Sequence, residues 1–247
     1  MADWNEPRQA QAGLGSVPRA GGDVASRTTF DAGLRSYMLS IYNYMTSGVL
    51  LTGIVALLTY NSGMAMNFAS GPLMWIVALS PLAIVFAMSF GMNRFGKATL
   101  QAMYWTFAVL MGLSMSTIFL RFTGGSIAVT FFATAAAFAG LSLFGYTTKK
   151  SLSGLGSFLI MGVVGLLVAM LLNLWLQSPA LMYAISFLGV LIFAGLTAYD
   201  TQRLKETYAY VRGTDMMGKV VIMGALTLYL DFINMFQFLL SFLGQRE

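Results

Sequence analysis

Long stretches without a charged side chain constrain this chain more than any other feature. No charged residue lies between Arg35 and Arg94 or between Lys150 and Asp200, and charged residues make up 9% of the 247. Soluble domains carry roughly 25%. About 20 apolar residues suffice to cross a bilayer as a helix, and only helices or closed barrels satisfy their backbone there. The chain is therefore expected to be an all-α integral membrane protein.

Six polar breaks divide the apolar sequence into seven predicted spans. Each span is near the length that a helix needs to cross the hydrocarbon core. The short breaks predict mostly antiparallel neighbours in one compact domain. The predicted limits are 38–60, 72–93, 100–121, 126–147, 155–176, 179–202 and 217–243.

The first 27 residues differ in composition from the rest of the chain. They are rich in Gly, Ala, Pro and Gln and include Arg8, Arg19 and Arg27. Such a segment buries too little apolar surface to fold, and it lacks the apolar core of a signal peptide. We expect residues 1–27 to form a disordered cytoplasmic tail and residues 28–247 to form the seven-helix transmembrane domain.

The basic residues predict the orientation. Twelve of the 14 Lys and Arg residues fall in the N-terminal segment and the even-numbered breaks, whereas the opposite side has only Arg121 and Arg246. Because basic residues concentrate on the cytoplasmic side, the N-terminus is expected in the cytoplasm. Seven spans then place the C-terminus outside.

Composition excludes several classes of site. The chain has no cysteine and no histidine, so thiolate nucleophiles, disulfides and an imidazole base are absent. The net charge of +5 does not predict nucleic-acid binding, because the basic residues flank apolar runs rather than forming a stripe. Proton chemistry near neutral pH is left to carboxylates.

Two aspartates stand out in the last two spans. Asp200 lies in the sixth span, and Asp231 lies within the otherwise uncharged run LTLYLDFINMFQFLLSFLG of the seventh. Counted from the turn RGTD, their depths differ by about one helical turn. An ionised Asp at a helix centre costs roughly 2.5 to 3.5 kcal/mol unless it pairs, protonates or reaches water. Two touching carboxyls would titrate in two separated steps, so this pair is a candidate proton sensor.

Three further polar residues are weaker candidates. Arg94, at the end of the second span, could form a latch with a carboxylate, although it also serves as a topology signal. Asn173 and Asn234 are intramembrane amides, which are candidates for pore lining and for interhelical hydrogen bonds. Asp200 and Asp231 also have structural alternatives: an interfacial charge and an interhelical hydrogen bond.

The segments around these residues resemble the transmembrane Bax inhibitor motif family, specifically its bacterial members. AYDTQ around Asp200 and LYLDFINMF around Asp231 are similar to the paired Asp motifs of that family. GMNRFGKATLQAMYWTFA is similar to the segment with its second-span arginine, which Arg94 matches. The resemblance extends over about residues 30–244.

This resemblance implies a fold in which the last helix is central and ringed by the other six. It implies a pH-dependent calcium leak channel gated by Asp200 and Asp231, in the bacterial inner membrane, with no enzymatic activity and no cofactor. Calcium takes about six to eight oxygens, and two carboxylates supply at most four, so the metal site would be weak and transient. The implied partners are the lipid bilayer, calcium ions and protons, and membrane-protein partners stay open.

Three other functions fit parts of the sequence. A proton-coupled cation transporter would also use buried carboxylates. A non-transporting regulator could bind membrane proteases through its charged tail. An intramembrane aspartyl protease would share Tyr199–Asp200, but its second Asp follows GxG, whereas Leu228, Tyr229 and Leu230 precede Asp231 here. Its PAL motif follows both aspartates, whereas Pro179, Ala180 and Leu181 precede them.

Overall fold

The computed structural model describes residues 20–69 and 72–245, which form helices joined by short connections. The chain divides into two units, Met1–Ser36 and Tyr37–Glu247. The helices are α1 (Ala20–Asn61), α2 (Met64–Ala69), α3 (Pro72–Gly91), α4 (Lys97–Met115), α5 (Gly124–Thr147), α6 (Ser153–Leu176), α7 (Pro179–Val211) and α8 (Met217–Leu243), with a 3₁₀ turn at Ser116–Leu120 after α4.

The prediction of seven spans is confirmed for the described residues. Seven helices are long and apolar enough to cross a membrane, and they are α1 and α3 to α8. The short helix α2 occupies the break predicted at residues 61–72. The protein is therefore an all-helical, multi-pass membrane protein.

Two predicted spans are too short at one end. The sixth was predicted to end at residue 202, whereas α7 continues to Val211. The first was predicted to begin at residue 38, whereas α1 begins at Ala20. Hydropathy marks where the apolar surface ends, but in α7 the good helix formers Arg, Lys and Glu extend the helix beyond it.

The predicted disordered tail, residues 1–27, lies mostly outside the described residues. Its last eight residues belong to the start of α1. The predicted boundary between tail and transmembrane domain therefore stays a prediction.

Helix α8 is the most buried of the spans. In its most apolar 18-residue window 67% of the residues are buried, against at most 33% in the others. Its apolar side chains contact α4, α5 and, most extensively, α7. The full ring of six helices around α8 stays a prediction.

A buried hydrogen-bond network fixes α8 against α1 and α4. The hydroxyls of Thr52 and Tyr229 lie 2.7 Å apart, and Thr52 Oγ1 also donates to the Ala108 carbonyl at 2.8 Å. Tyr104 donates to the Tyr44 carbonyl at 2.8 Å. Because lipid offers no alternative partner for these groups, such bonds specify which helices meet.

Small residues let α5 and α7 approach closely. A Cβ on Gly145 would overlap the carbonyl oxygen of Ala198. One turn away, Thr201 Oγ1 donates to Ser142 Oγ at 3.4 Å. The close approach is two residues from Asp200, so the α5–α7 contact sets where that side chain lies.

Candidate functional site

Asp200 lies on the buried face of α7. Its side chain is 8% exposed, and the neighbouring Thr197, Ala198, Thr201 and Gln202 are also buried. Gln202 ties α7 to the α5–α6 connection. Its Oε1 accepts from the Leu152 N–H at 2.7 Å, and its Nε2 donates to a carbonyl of the same connection at 2.9 Å. Asp200 therefore projects from a rigid segment.

Lys205 adds a second tie between α7 and α5. Its Nζ donates to the Tyr146 carbonyl at 2.7 Å and lies 5.2 Å from the centre of the Tyr146 ring. The Tyr146 carbonyl is near the C-terminus of α5, where the helix dipole favours a cation. Lys205 is thus engaged by α5, one helical turn beyond Asp200.

Asp231 is still more deeply buried, at 4% exposure on α8. Its Oδ2 has no hydrogen-bond partner among the described residues. An unpaired buried oxygen of this kind is costly. Its presence at the middle of the most buried helix makes Asp231 a candidate functional position.

Asp200 and Asp231 are buried on the two helices that contact each other most extensively, α7 and α8, and their carboxyl groups lie close enough to interact. A hydrogen bond between two carboxyls needs a proton on one of them, and either can be the donor. The positive charge of the exposed Arg203, three residues further along α7, also acts on Asp200. The burial and proximity of the two carboxyls thus allow a shared proton.

Arg94 is not part of this arrangement in the structure. It lies in the connection between α3 and α4, its side chain is exposed, and its backbone N–H donates to the Gly91 carbonyl at 2.9 Å. Within residues 20–69 and 72–245 it forms no salt bridge with Asp200 or Asp231. The latch stays a prediction for another state of the protein.

The two intramembrane asparagines hydrogen-bond elsewhere than to Asp200 and Asp231. Asn173 Oδ1 accepts from the Ser178 N–H at 3.0 Å, which stabilises the α6–α7 turn. Asn234 Nδ2 donates to the Leu230 carbonyl of its own helix at 2.8 Å. Both line one cavity of about 700 Å³ between α6, α7 and α8. They share a cavity, but neither contacts a carboxylate in the described hydrogen bonds.

The donor set bears on the predicted calcium site. The described residues contain no cluster of three or more His, Cys, Asp or Glu that could hold a metal. Two carboxylates alone fit a transient ion better than a resident one, because carbonyls or water must complete its shell. Calcium binding by Asp200 and Asp231 stays a prediction.

Sequence reasoning missed Gln202, Tyr229 and Gln237. Gln202 lies beside basic residues at the end of the sixth predicted span, and Tyr229 lies in the apolar run around Asp231. Gln237 lines two cavities. For Gln237 a signal was available in the sequence. It lies three or four residues from other polar residues of α8, and residues at this spacing share one face of a helix; the series is Thr227, Asp231, Asn234, Gln237 and Ser241.

The fold and the buried polar residues together define a polytopic membrane protein with a buried aspartate on each of its last two spanning helices. The chain matches, over residues 34–247, the family described as "Inhibitor of apoptosis-promoting Bax1". It belongs to this Bax inhibitor family, as the motifs around Asp200 and Asp231 indicate.

Bacterial relatives match over most of their length. A Caulobacter vibrioides protein is 47% identical over 241 residues, which are 93% of this chain and 94% of the relative. The "Inner membrane protein YbhL" of Escherichia coli (strain K12) is 43% identical over 220 residues, 87% of this chain and 94% of the relative. A membrane protein of Streptococcus pyogenes is 33% identical over 224 residues, 89% of this chain and 97% of the relative.

Proposed function

We propose that the protein is a pH-dependent calcium leak channel in which Asp200 and Asp231 form the proton-sensitive gate. The observation that supports the proposal is that two buried carboxyls on neighbouring membrane-spanning helices lie close enough to interact. Isolated carboxylates at such a depth are costly, and a pair that shares one proton reduces this cost. Gain or loss of that proton changes the charge in the middle of the bundle.

Protonation would remove the attraction for cations and favour the closed state. Ionisation of both groups would make them repel each other, separate α7 from α8 locally and attract calcium. Two carboxylates supply too few oxygens for tight binding, and weak binding suits passage. Calcium is the cation that the family resemblance implies.

Arg94 would act on the closed state. When α3 shifts toward α7, the guanidinium of Arg94 could pair with ionised Asp200 and hold the two helices together.

The remaining features of the proposal concern location and chemistry. The E. coli relative is named an inner membrane protein, which supports a location in the inner bacterial membrane. The basic residues support a cytoplasmic N-terminus and an external C-terminus. The protein would act without enzymatic chemistry and without a resident cofactor. Its partners would be lipid, calcium and protons, with no nucleic acid.

A proton-coupled cation transporter is the second candidate, because the same carboxyl contact suits a proton carrier. The two differ in stoichiometry. A transporter would move protons against a calcium gradient, whereas a leak would show pH control without driven exchange.

The protease alternative is disfavoured by the position of its motif. Pro179 begins α7, whereas Asp200 lies 21 residues further on, which is about 30 Å along a helix. A Pro-Ala-Leu segment at that distance could not line a cleft that includes both aspartates. A non-transporting regulator would depend on residues 1–27, and deletion of these residues would then abolish activity without an effect on calcium flux.

The experiment is calcium flux into proteoliposomes over mildly acid to mildly alkaline pH. Wild type, Asp200→Asn and Asp231→Asn are compared, with Asp215→Asn as the matched control because Asp215 is an exposed carboxylate in the α7–α8 turn. The proposal predicts that calcium flux no longer depends on pH in Asp200→Asn and Asp231→Asn. In Asp215→Asn it should depend on pH as in wild type. A wild-type pH response in both buried-Asp variants would refute the assignment of the gate.

A further inference from the structure

Two cavities lie at the end of the bundle where α6 turns into α7. The first distal cavity, of about 700 Å³, lies between α6, α7 and α8. The second distal cavity, of about 590 Å³, lies beside the 3₁₀ turn that follows α4. Both are lined by Met182, Gln237 and Ser241, so these three residues form a shared wall.

A polar stripe on α8 runs from this region toward Asp231. Asp231, Asn234, Gln237 and Ser241 recur every three or four residues, and such residues lie on one face of a helix. The last three line the first distal cavity. Asp231 is one turn further along the helix, about 4.5 Å deeper along its axis.

One side chain that lines the first distal cavity, Phe238, also packs against buried residues of α7. Phe238 lines the cavity and stacks on the buried Phe193, with ring centres 5.8 Å apart. Its ring also occupies the space that a Cβ on Gly189 would need. Rotation of the Phe238 side chain would thus change the access from this cavity to the bundle interior.

Charge distinguishes the two cavities. Arg121 lines the second distal cavity, and its positive charge disfavours a cation there. The residues that line the first are uncharged, and they include the amides of Asn173, Asn234 and Gln237 together with three serines. Neutral oxygens can replace part of the hydration shell of a cation without holding it tightly.

We propose that the first distal cavity is the entrance through which a hydrated cation reaches the carboxyl pair, with Asn234 and Gln237 as oxygen ligands and Phe238 as the barrier. This inference rests on the proposed channel function and adds the route and its polar ligands. The second distal cavity is excluded from the route by the charge of Arg121.

The native chain has no cysteine, so single cysteines can be introduced without further changes. Met170→Cys reports on the first distal cavity only, and Ser114→Cys reports on the second only. Leu171→Cys is the matched control, because Leu171 is 64% exposed on the same helix as Met170 and lines neither cavity. The probes are a cationic and an anionic methanethiosulfonate of similar size, added to proteoliposomes.

The reagents modify thiolates, which form only where water reaches the sulfur. The inference predicts that the cationic reagent modifies Met170→Cys about tenfold faster than it modifies Leu171→Cys. It also predicts that Met170→Cys reacts faster with the cationic reagent than with the anionic one. Modification should then abolish calcium flux in Met170→Cys and leave it unchanged in Ser114→Cys. A Met170→Cys rate equal to that of Leu171→Cys, or full modification with undiminished flux, would overturn the inference.

Labelling rates do not depend on calcium flux, so the two proposals fail separately. If unmodified wild type carries no calcium flux at any pH, the channel function fails. In that case a preference of Met170→Cys for the cationic reagent still supports a cation-accessible cavity, and a preference for the anionic reagent contradicts it.

Discussion

Substitution of Gly145 by alanine should destabilise the protein and displace Asp200. The new methyl group would overlap the carbonyl oxygen of Ala198, which belongs to the backbone of α7 and cannot rotate away. Relief requires α5 and α7 to separate. Overpacking of this kind costs about 1 to 3 kcal/mol.

The same helix provides a matched control. Gly140 is exposed on α5, and a Cβ there meets nothing within 4 Å. Gly140→Ala should therefore stabilise the protein by up to about 1 kcal/mol, because alanine loses less conformational freedom in a helix than glycine does. The two variants differ only in whether the methyl group has room.

The assay is reversible unfolding in mixed micelles, with the free energy of unfolding compared among wild type and both variants. Gly145→Ala should lie below wild type and Gly140→Ala at or above it. Calcium flux adds a second measurement, because a displaced Asp200 should weaken the pH response in Gly145→Ala only. Equal free energies of unfolding in the two variants would refute the claim that close α5–α7 contact positions Asp200.

Three further predictions concern other contacts. Tyr229→Phe removes the 2.7 Å hydrogen bond to Thr52 and should lower the free energy of unfolding by about 0.6 kcal/mol, and by at most about 1.7 kcal/mol. A coupling energy of zero in the double-mutant cycle of Thr52→Val and Tyr229→Phe would contradict an interaction between the two hydroxyls. Gln202→Leu leaves the Leu152 N–H unpaired, so amide hydrogen exchange of the α5–α6 connection should accelerate, and unaltered protection would speak against this tie. Arg94→Ala should raise the basal calcium leak if the latch forms, and a wild-type leak would remove the latch.

Residues whose chemistry conflicts with the membrane could be identified from sequence. Asp231 interrupts an uncharged run, and an anion in hydrocarbon needs a partner; counting residues from the turn that joins the last two spans placed Asp200 at nearly the same depth. The span count followed in the same way from the length that a helix needs to cross the membrane.

Contacts between distant helices could not be predicted in this way. Gln202 is adjacent in sequence to basic residues, yet it bonds the connection before α6, 50 residues earlier. Arg94 was predicted to pair with a carboxylate, whereas its side chain is exposed in the structure. Whether a polar side chain faces another helix or water depends on the rotation of each helix about its axis, and a nearly all-apolar span determines that rotation weakly.

A titration that follows carboxyl protonation and calcium flux in the same preparation tests the central claim most directly. Infrared difference spectra of the purified protein in liposomes report the carbonyl stretch of protonated Asp, and Asp200→Asn and Asp231→Asn assign the band to the pair. The account predicts that this band disappears over the pH interval in which calcium flux rises. A flux that rises while the band of the pair stays unchanged would contradict it.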